Sequence, residues 1–152
     1  MRVGVLSDTH GLLRHEALAA LAGADHILHA GDVGDPAILE ALARIAPLTA
    51  IRGNIDTEGP CAALPPTELV ELAGSSIYML HSIRDLDLNP AAAGVSVVIS
   101  GHSHKPLVEH RAGILYMNPG SAGPRRFSLP ITLGFLTLGD GPPGAEIVSL
   151  ER

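Results

Sequence analysis

Seven side chains of the kinds that bind divalent cations stand just beyond short apolar runs of this 152-residue chain. Ser7-Asp8-Thr9-His10 follows the first run, Gly31-Asp32 the second, and Gly53-Asn54-Ile55-Asp56 the third. His81 closes a fourth run, and Gly101-His102-Ser103-His104 a fifth. The donors are carboxylate, imidazole and amide, with no thiolate. Such mixed oxygen and nitrogen sets suit manganese, iron, zinc, cobalt or nickel, whereas magnesium and calcium favour an all-oxygen shell. Asp32 is the natural bridge, because one carboxylate can join two cations roughly 3.5–4 Å apart. Two divalent cations set against Asp8 and Asp32 leave the site at roughly +2, or roughly +1 with a bound hydroxide. A phosphate would be drawn there even though the chain carries a net charge of −6.

The elements that must position these residues alternate in type over the first part of the chain. Arg2 to Leu6 reads as a strand, Glu16 to Leu21 as a helix, and His26 to Ala30 as a strand. Pro36 to Ile45 reads as a helix, with Asp35 as its N-cap and Pro36 at the first helical position. Leu48 to Ile51 reads as a third strand. This βαβαβ order implies a parallel sheet with right-handed crossovers. Polar residues beyond the carboxyl ends of such strands converge at one edge. Gly31, Gly53 and Gly101 would let the backbone turn sharply and approach a bound ion.

From Glu68 onward the pattern is β-rich. Glu68–Leu72 and Ile77–Leu80 flank Ala73-Gly74-Ser75-Ser76, a hairpin signal. Val95–Ile99, Ile114–Met117, Ile131–Leu138 and Ala145–Leu150 read as further strands, and Pro90 to Ala93 as a short helix. The expected fold class is α/β, with two packed mixed β-sheets flanked by helices. The length fits one domain, residues 1–152, which buries about 70% of the surface of its unfolded chain.

Composition narrows the partners. Aromatic residues are 3% of the chain and Trp is absent. Stacking platforms and the basic stripe of a protein that holds long nucleic acid are both missing. The negative charge disfavours anionic lipid. No run is long enough to span a bilayer, and the first residues read as a strand rather than a leader, so a cytoplasmic protein is expected. Cys61 is the only cysteine, which excludes an intrachain disulfide. The β-rich half offers an edge or face on which a homo-oligomer would form.

The series Asp8-x-His10, Gly31-Asp32, Gly53-Asn54, His81 and Gly101-His102-Ser103-His104 resembles the calcineurin-like metallophosphoesterase family, in order and spacing over about residues 3 to 125. Gly53-Asn54-Ile55-Asp56 and Asn118-Pro119-Gly120-Ser121 are similar to its small bacterial and archaeal phosphodiesterase branch. The resemblance implies a four-layer αββα sandwich and two divalent metal ions, manganese first among the candidates and Fe, Zn, Ni or Co after it. One ion would take Asp8, His10 and His104, the other Asn54, His81 and His102, with Asp32 between them. It further implies hydrolysis of small phosphodiesters or monoesters by in-line attack of a metal-bridging hydroxide, with Asp32, Asn54 and His81 as catalytic residues. The family also includes a scaffold subunit of the retromer sorting coat, in which the same fold serves protein assembly. A non-catalytic metal-binding module is therefore the alternative to an enzyme.

Two departures stand out. Ile55 occupies the position where the family often has a leaving-group histidine, and Ser82-Ile83 follows His81 where it often has Gly-His. Leaving-group protonation is therefore expected to be weak. Asp56 reads either as a support for the Asn54 loop or as a plain turn residue. Arg125, next to Arg126, reads as a phosphate grip or as a solvated charge. His15, His26, His29 and His110 match no position of the series and read as structural or surface residues.

Overall fold

The computed structural model describes residues 1–151. Ten strands form two five-stranded sheets. The first sheet takes β1 (Arg2–Leu6), β2 (His26–His29) and β3 (Leu48–Ala50) from the start of the chain. The second takes β4 (Thr67–Leu72), β5 (Ser75–Leu80), β6 (Val97–Ile99), β7 (Leu107–Arg111) and β8 (Ile114–Asn118). The chain then returns to the first sheet with β9 (Thr132–Thr137) and β10 (Gly144–Ser149). The strand orders are β10-β9-β1-β2-β3 and β4-β5-β6-β8-β7.

Both sheets are mixed. β1, β2 and β3 run parallel, as the alternating pattern requires, while β9 runs antiparallel to β1 and β10 antiparallel to β9. In the second sheet β5, β6 and β8 are parallel, with antiparallel β4 and β7 at the edges. The parallel strands therefore deliver their carboxyl ends to one side.

Period-two alternation divides the core. Val3 and Val5 of β1 face the second sheet and pack with Ile77, Met79, Val97, Ile99 and Met117. Leu6 faces the other way, into a cluster with Leu21 of α1 (His15–Leu21) and Leu42 of α2 (Pro36–Ala43). The Asp35 carboxylate caps α2 by accepting from the Ala37 N–H at 2.9 Å, which satisfies one of the helix's orphan donors.

The helical layer over the second sheet is thin. Leu80, Val98 and Ile114 are covered by Val95, Leu86 and neighbouring residues of the 83–95 segment. That segment holds one 3₁₀ turn, Ile83–Asp85, and Pro90 to Ala93 forms turns rather than the expected short helix. A third short helix, α3 (Gly59–Ala62), follows the Asn54 loop and buries Cys61. Burial pushes the Cys61 thiol pKa up, so the residue acts as a small apolar side chain. Among the described residues no helix is long and apolar enough to cross a membrane.

Candidate metal centre

The five strand-end segments meet at one edge, and all seven expected ligands arrive there. Asp8 and His10 leave β1, Asp32 follows β2, and Asn54 follows β3. His81 follows β5, and His102 and His104 follow β6. Two groups form, Asp8 with His10 and His104, and Asp32 with His81 and His102. Within each group the ligand atoms lie within 4.8 Å of one another. Asn54 joins the second group, its Oδ1 lying 3.2 Å from His102 Nδ1.

Asp32 lies between the groups. Its Oδ2 is 3.3 Å from His10 Nε2 and 3.2 Å from His81 Nε2, so it touches one imidazole of each. Asp8 Oδ1 is 3.3 Å from His104 Nε2, 3.7 Å from His10 Nε2 and 3.8 Å from His81 Nε2. These separations exceed the roughly 2.7–2.9 Å of charge-assisted hydrogen bonds. They fit donors that share a cation: two atoms about 2.1 Å from one ion, at a near-tetrahedral angle, stand about 3.4 Å apart. Buried Asp8 Oδ1, His10 Nε2, His81 Nε2 and His104 Nδ1 have no hydrogen-bond partner. Orphaned buried polar atoms of this kind are costly, and three of them turn inward on the cluster. The donor set fits a pair of cations.

The backbone bends sharply to make the cluster. Asp8, His10, Asp32, His102 and His104 have φ of 57°, 45°, 57°, 70° and 62°. Residues with a Cβ enter this left-handed region only at a cost. Such outliers gather where function over-determines the chain. Gly53 meets a different demand: a Cβ there would collide with the Asp32 carboxylate. The turn after β3 can therefore lie directly against Asp32.

Supporting contacts fix Asp8, Asp32, His81 and the Asn54 loop. The Ser7 hydroxyl and the His102 N–H donate to Asp8 Oδ2 at 2.7 and 3.0 Å, leaving Oδ1 to face the imidazoles. Asp32 Oδ1 accepts from the Ile55 N–H at 3.0 Å, leaving Oδ2 in the centre. His81 Nδ1 donates to the Ala30 carbonyl at 2.8 Å. That contact fixes the ring and presents the Nε2 lone pair. Asp56 accepts from the N–H groups of Val33, Gly34 and Gly53 at 3.1, 3.0 and 2.8 Å. Of the two readings of Asp56, it therefore supports the Asn54 loop, and it ties that loop to the one that carries Asp32.

Ser7, Ser121 and His29 were not singled out as site residues. Ser121 donates to the Asp8 carbonyl at 3.0 Å. His29 is fully buried, with Nε2 at 3.0 Å from Thr9 Oγ1 and Nδ1 accepting from the Gly31 N–H at 3.1 Å. It therefore joins the loops of Asp8 and Asp32. Only its burial, invisible in the sequence, distinguishes it from His26. Arg125 lines a small cleft with His10 and His104. Its guanidinium is engaged by Glu151 and by the Leu129 carbonyl.

The titration behaviour follows the packing. Burial pushes the Asp8 carboxyl up, but His10, His104, Ser7 and the charge of His81 outweigh it and hold the group well below the usual range. Asp32 is lowered too, because His81 and the Ile55 N–H outweigh its burial. His81 moves up despite burial, held by Asp32 and the Ala30 carbonyl. Both carboxylates stay ionised at neutral pH and attract positive charge.

Residues 1–141 match the family model of the calcineurin-like phosphoesterase superfamily domain. The chain belongs to this superfamily. The family is metal-dependent, and this chain carries two groups of residues that could each hold a metal ion. A probable metallophosphoesterase of Methanocaldococcus jannaschii is 35% identical over 134 residues, 80% of this chain and 68% of the relative. Phosphodiesterase YfcE of Escherichia coli is 29% identical over 160 residues, 90% of this chain and 87% of the relative. The solved YfcE structure superposes with a TM-score of 0.71 at 27% identity, covering 90% of this chain and 88% of YfcE. Zinc-complexed Vps29 of Entamoeba histolytica shares the fold at a TM-score of 0.76 and 20% identity, covering 99% of this chain and all (100%) of Vps29.

Proposed function

We propose that this metallophosphoesterase hydrolyses small phosphodiesters at a dinuclear centre within a single domain. The observation that carries the reading is Asp32 Oδ2, placed 3.3 and 3.2 Å from imidazoles of two separate ligand groups. Asp8, His10 and His104 would hold one ion, and Asn54, His81 and His102 the other, with Asp32 shared. Bound divalent cations would supply a hydroxide nucleophile near neutral pH and neutralise the phosphoryl oxygens as charge develops. The oxygen and nitrogen donor set without thiolate suits manganese, iron, zinc, cobalt or nickel, and the family resemblance puts manganese first among them.

The chain's own residues define the rest. His81, anchored on the Ala30 carbonyl through Nδ1, aims its Nε2 inward. Asn54 stands at the exposed face of the second group, where its amide can meet a phosphoryl oxygen. Ile55, with 40% of its surface exposed, offers no proton to a departing alkoxide. Nitrophenyl esters are therefore expected to turn over far faster than alkyl esters; equal rates would refute this point.

The test uses metal-stripped protein with bis(p-nitrophenyl) phosphate and p-nitrophenyl phosphate, titrated with Mn²⁺. Asp32→Ala and His81→Ala are assayed beside it. Activity that needs metal, favours the diester and disappears in both variants supports the reading. Stoichiometric metal binding without turnover of either ester overturns it in favour of a non-catalytic module.

A further inference from the structure

Beside His102 a cavity of about 650 Å³ opens over the outer face of the second sheet. This is within the range of small-molecule sites. Its apolar surface comes from Ile83, Pro106, Leu107 and the ring of Tyr116. Ile83 and Leu107 are 40% and 48% exposed, large apolar side chains with nothing packed over much of their surface.

The charge of this cavity opposes that of the chain. Arg84, Lys105 and Arg111 line it, and no carboxylate does. Lys105 is the only lysine in a protein of net charge −6. Arg111 stacks on Tyr116, 4.3 Å from the ring centroid, and its Nε lies 3.5 Å from Glu109 on the same strand. Arg84 and Lys105 have no ion-pair partner among the described residues. The adjoining cleft that holds Asn54 and His81 also includes Asp85 and Asp87. The cleft beside His10 and His104 also carries two arginines, Arg125 and Arg126, but it is smaller and Arg125 is engaged by Glu151.

On the reading that the centre hydrolyses phosphodiesters, we propose that this cavity is the specificity pocket for one alcohol of the substrate. That alcohol would carry an apolar or planar body against Tyr116 and Leu107, and a second anionic group reaching Arg84 and Lys105. The substrate class is an organic phosphodiester with an additional negative charge beyond the scissile phosphate. Diesters without the second charge would lack the contact with Arg84 and Lys105.

Two diesters with the same leaving group decide the matter, p-nitrophenyl phenyl phosphate and p-nitrophenyl 4-carboxyphenyl phosphate. Partly exposed ion pairs contribute a few-fold each, so the manganese-loaded protein is expected to favour the carboxylated ester by about five- to twentyfold in kcat/KM. The preference should shrink as salt is raised and fall to near unity in Arg84→Gln/Lys105→Gln, while Lys105→Arg should retain most of it. Phenylphosphonate and 4-carboxyphenylphosphonate, which cannot turn over, should show the same order in Kd by calorimetry. Turnover of both esters with equal kcat/KM overturns the pocket and leaves the phosphoesterase reading standing. A preference that survives the double variant also overturns it. Turnover of neither ester overturns the phosphoesterase reading and the pocket together.

Discussion

Lowering the pH should destabilise the metal-free protein through His29, a residue that touches no substrate. Burial drives its pKa from the ordinary 6.5 to about 4, against the opposing pull of Asp8, Asp56 and Asp32 and with a smaller push from His81. The folded protein therefore keeps this imidazole neutral where the unfolded chain would protonate it. The unfolded state binds more protons between those values, so stability is present above 6.5 and is lost as pH falls toward 4. At about 1.4 kcal/mol per pH unit, the full effect is about 3 kcal/mol, and about 2 kcal/mol falls between pH 7 and pH 5. His26 is lowered by burial as well and adds in the same direction. His81 is raised, so its contribution is present at low pH and is lost as pH rises through its folded value. The assay is urea unfolding of wild type and His29→Gln at both pH values. Gln can still accept from the Gly31 N–H and donate to Thr9, yet cannot titrate. Wild type should lose about 2 kcal/mol more than the variant on going from pH 7 to pH 5. Equal losses would show that His29 protonates without penalty and refute the argument.

Three further outcomes are expected. Asp56→Ala leaves three backbone N–H groups without their acceptor; it should cost about 3–5 kcal/mol in urea unfolding, with Asp56→Asn costing less. Gly53→Ala drives a methyl into the Asp32 carboxylate; it should cost about 1–3 kcal/mol and weaken manganese binding by calorimetry, whereas Gly139→Ala, with nothing near its Cβ position, should bind manganese normally. Because Asp32 and the Ala30 carbonyl raise the His81 pKa, metal binding near that pKa should release a proton and weaken as pH falls. Calorimetry in buffers of different ionisation enthalpy would detect this release, and His81→Ala should reduce it.

The centre was legible because its polar residues fall where apolar runs stop. Asp8, Asp32, Asn54, His81 and His102 mark the ends of strands whose alternation is plain, and parallel strands carry such ends to one edge. Strand β7 was missed. Leu107 to Arg111 is an exposed edge strand without clean alternation, and its signal is the Ala112-Gly113 turn, where φ is 50° and 79°. The helix expected at Pro90 failed because the segment before Gly94 is too short to give more than turns. Asp56 was ambiguous because its three partners include Val33 and Gly34, which are remote in sequence. The cationic pocket was invisible for the same reason: Arg84, Lys105 and Arg111 meet only after the β7–β8 hairpin joins the sheet beside β6. The left-handed turns at Asp8 and Asp32 also left no mark, since neither residue is the glycine that such a φ favours.

Those left-handed ligands set a direction for change in this fold. Each holds a conformation that glycine adopts without the steric cost, and the cluster gathers buried groups that repel or lack partners until cations arrive. Replacing the exposed His102 with Gly should therefore cost the metal-free protein little while weakening its metal affinity. Selection for catalysis and selection for stability pull on this position in opposite directions. A lineage relieved of the chemistry would lose its ligands without losing its architecture, so the scaffold can outlive the enzyme.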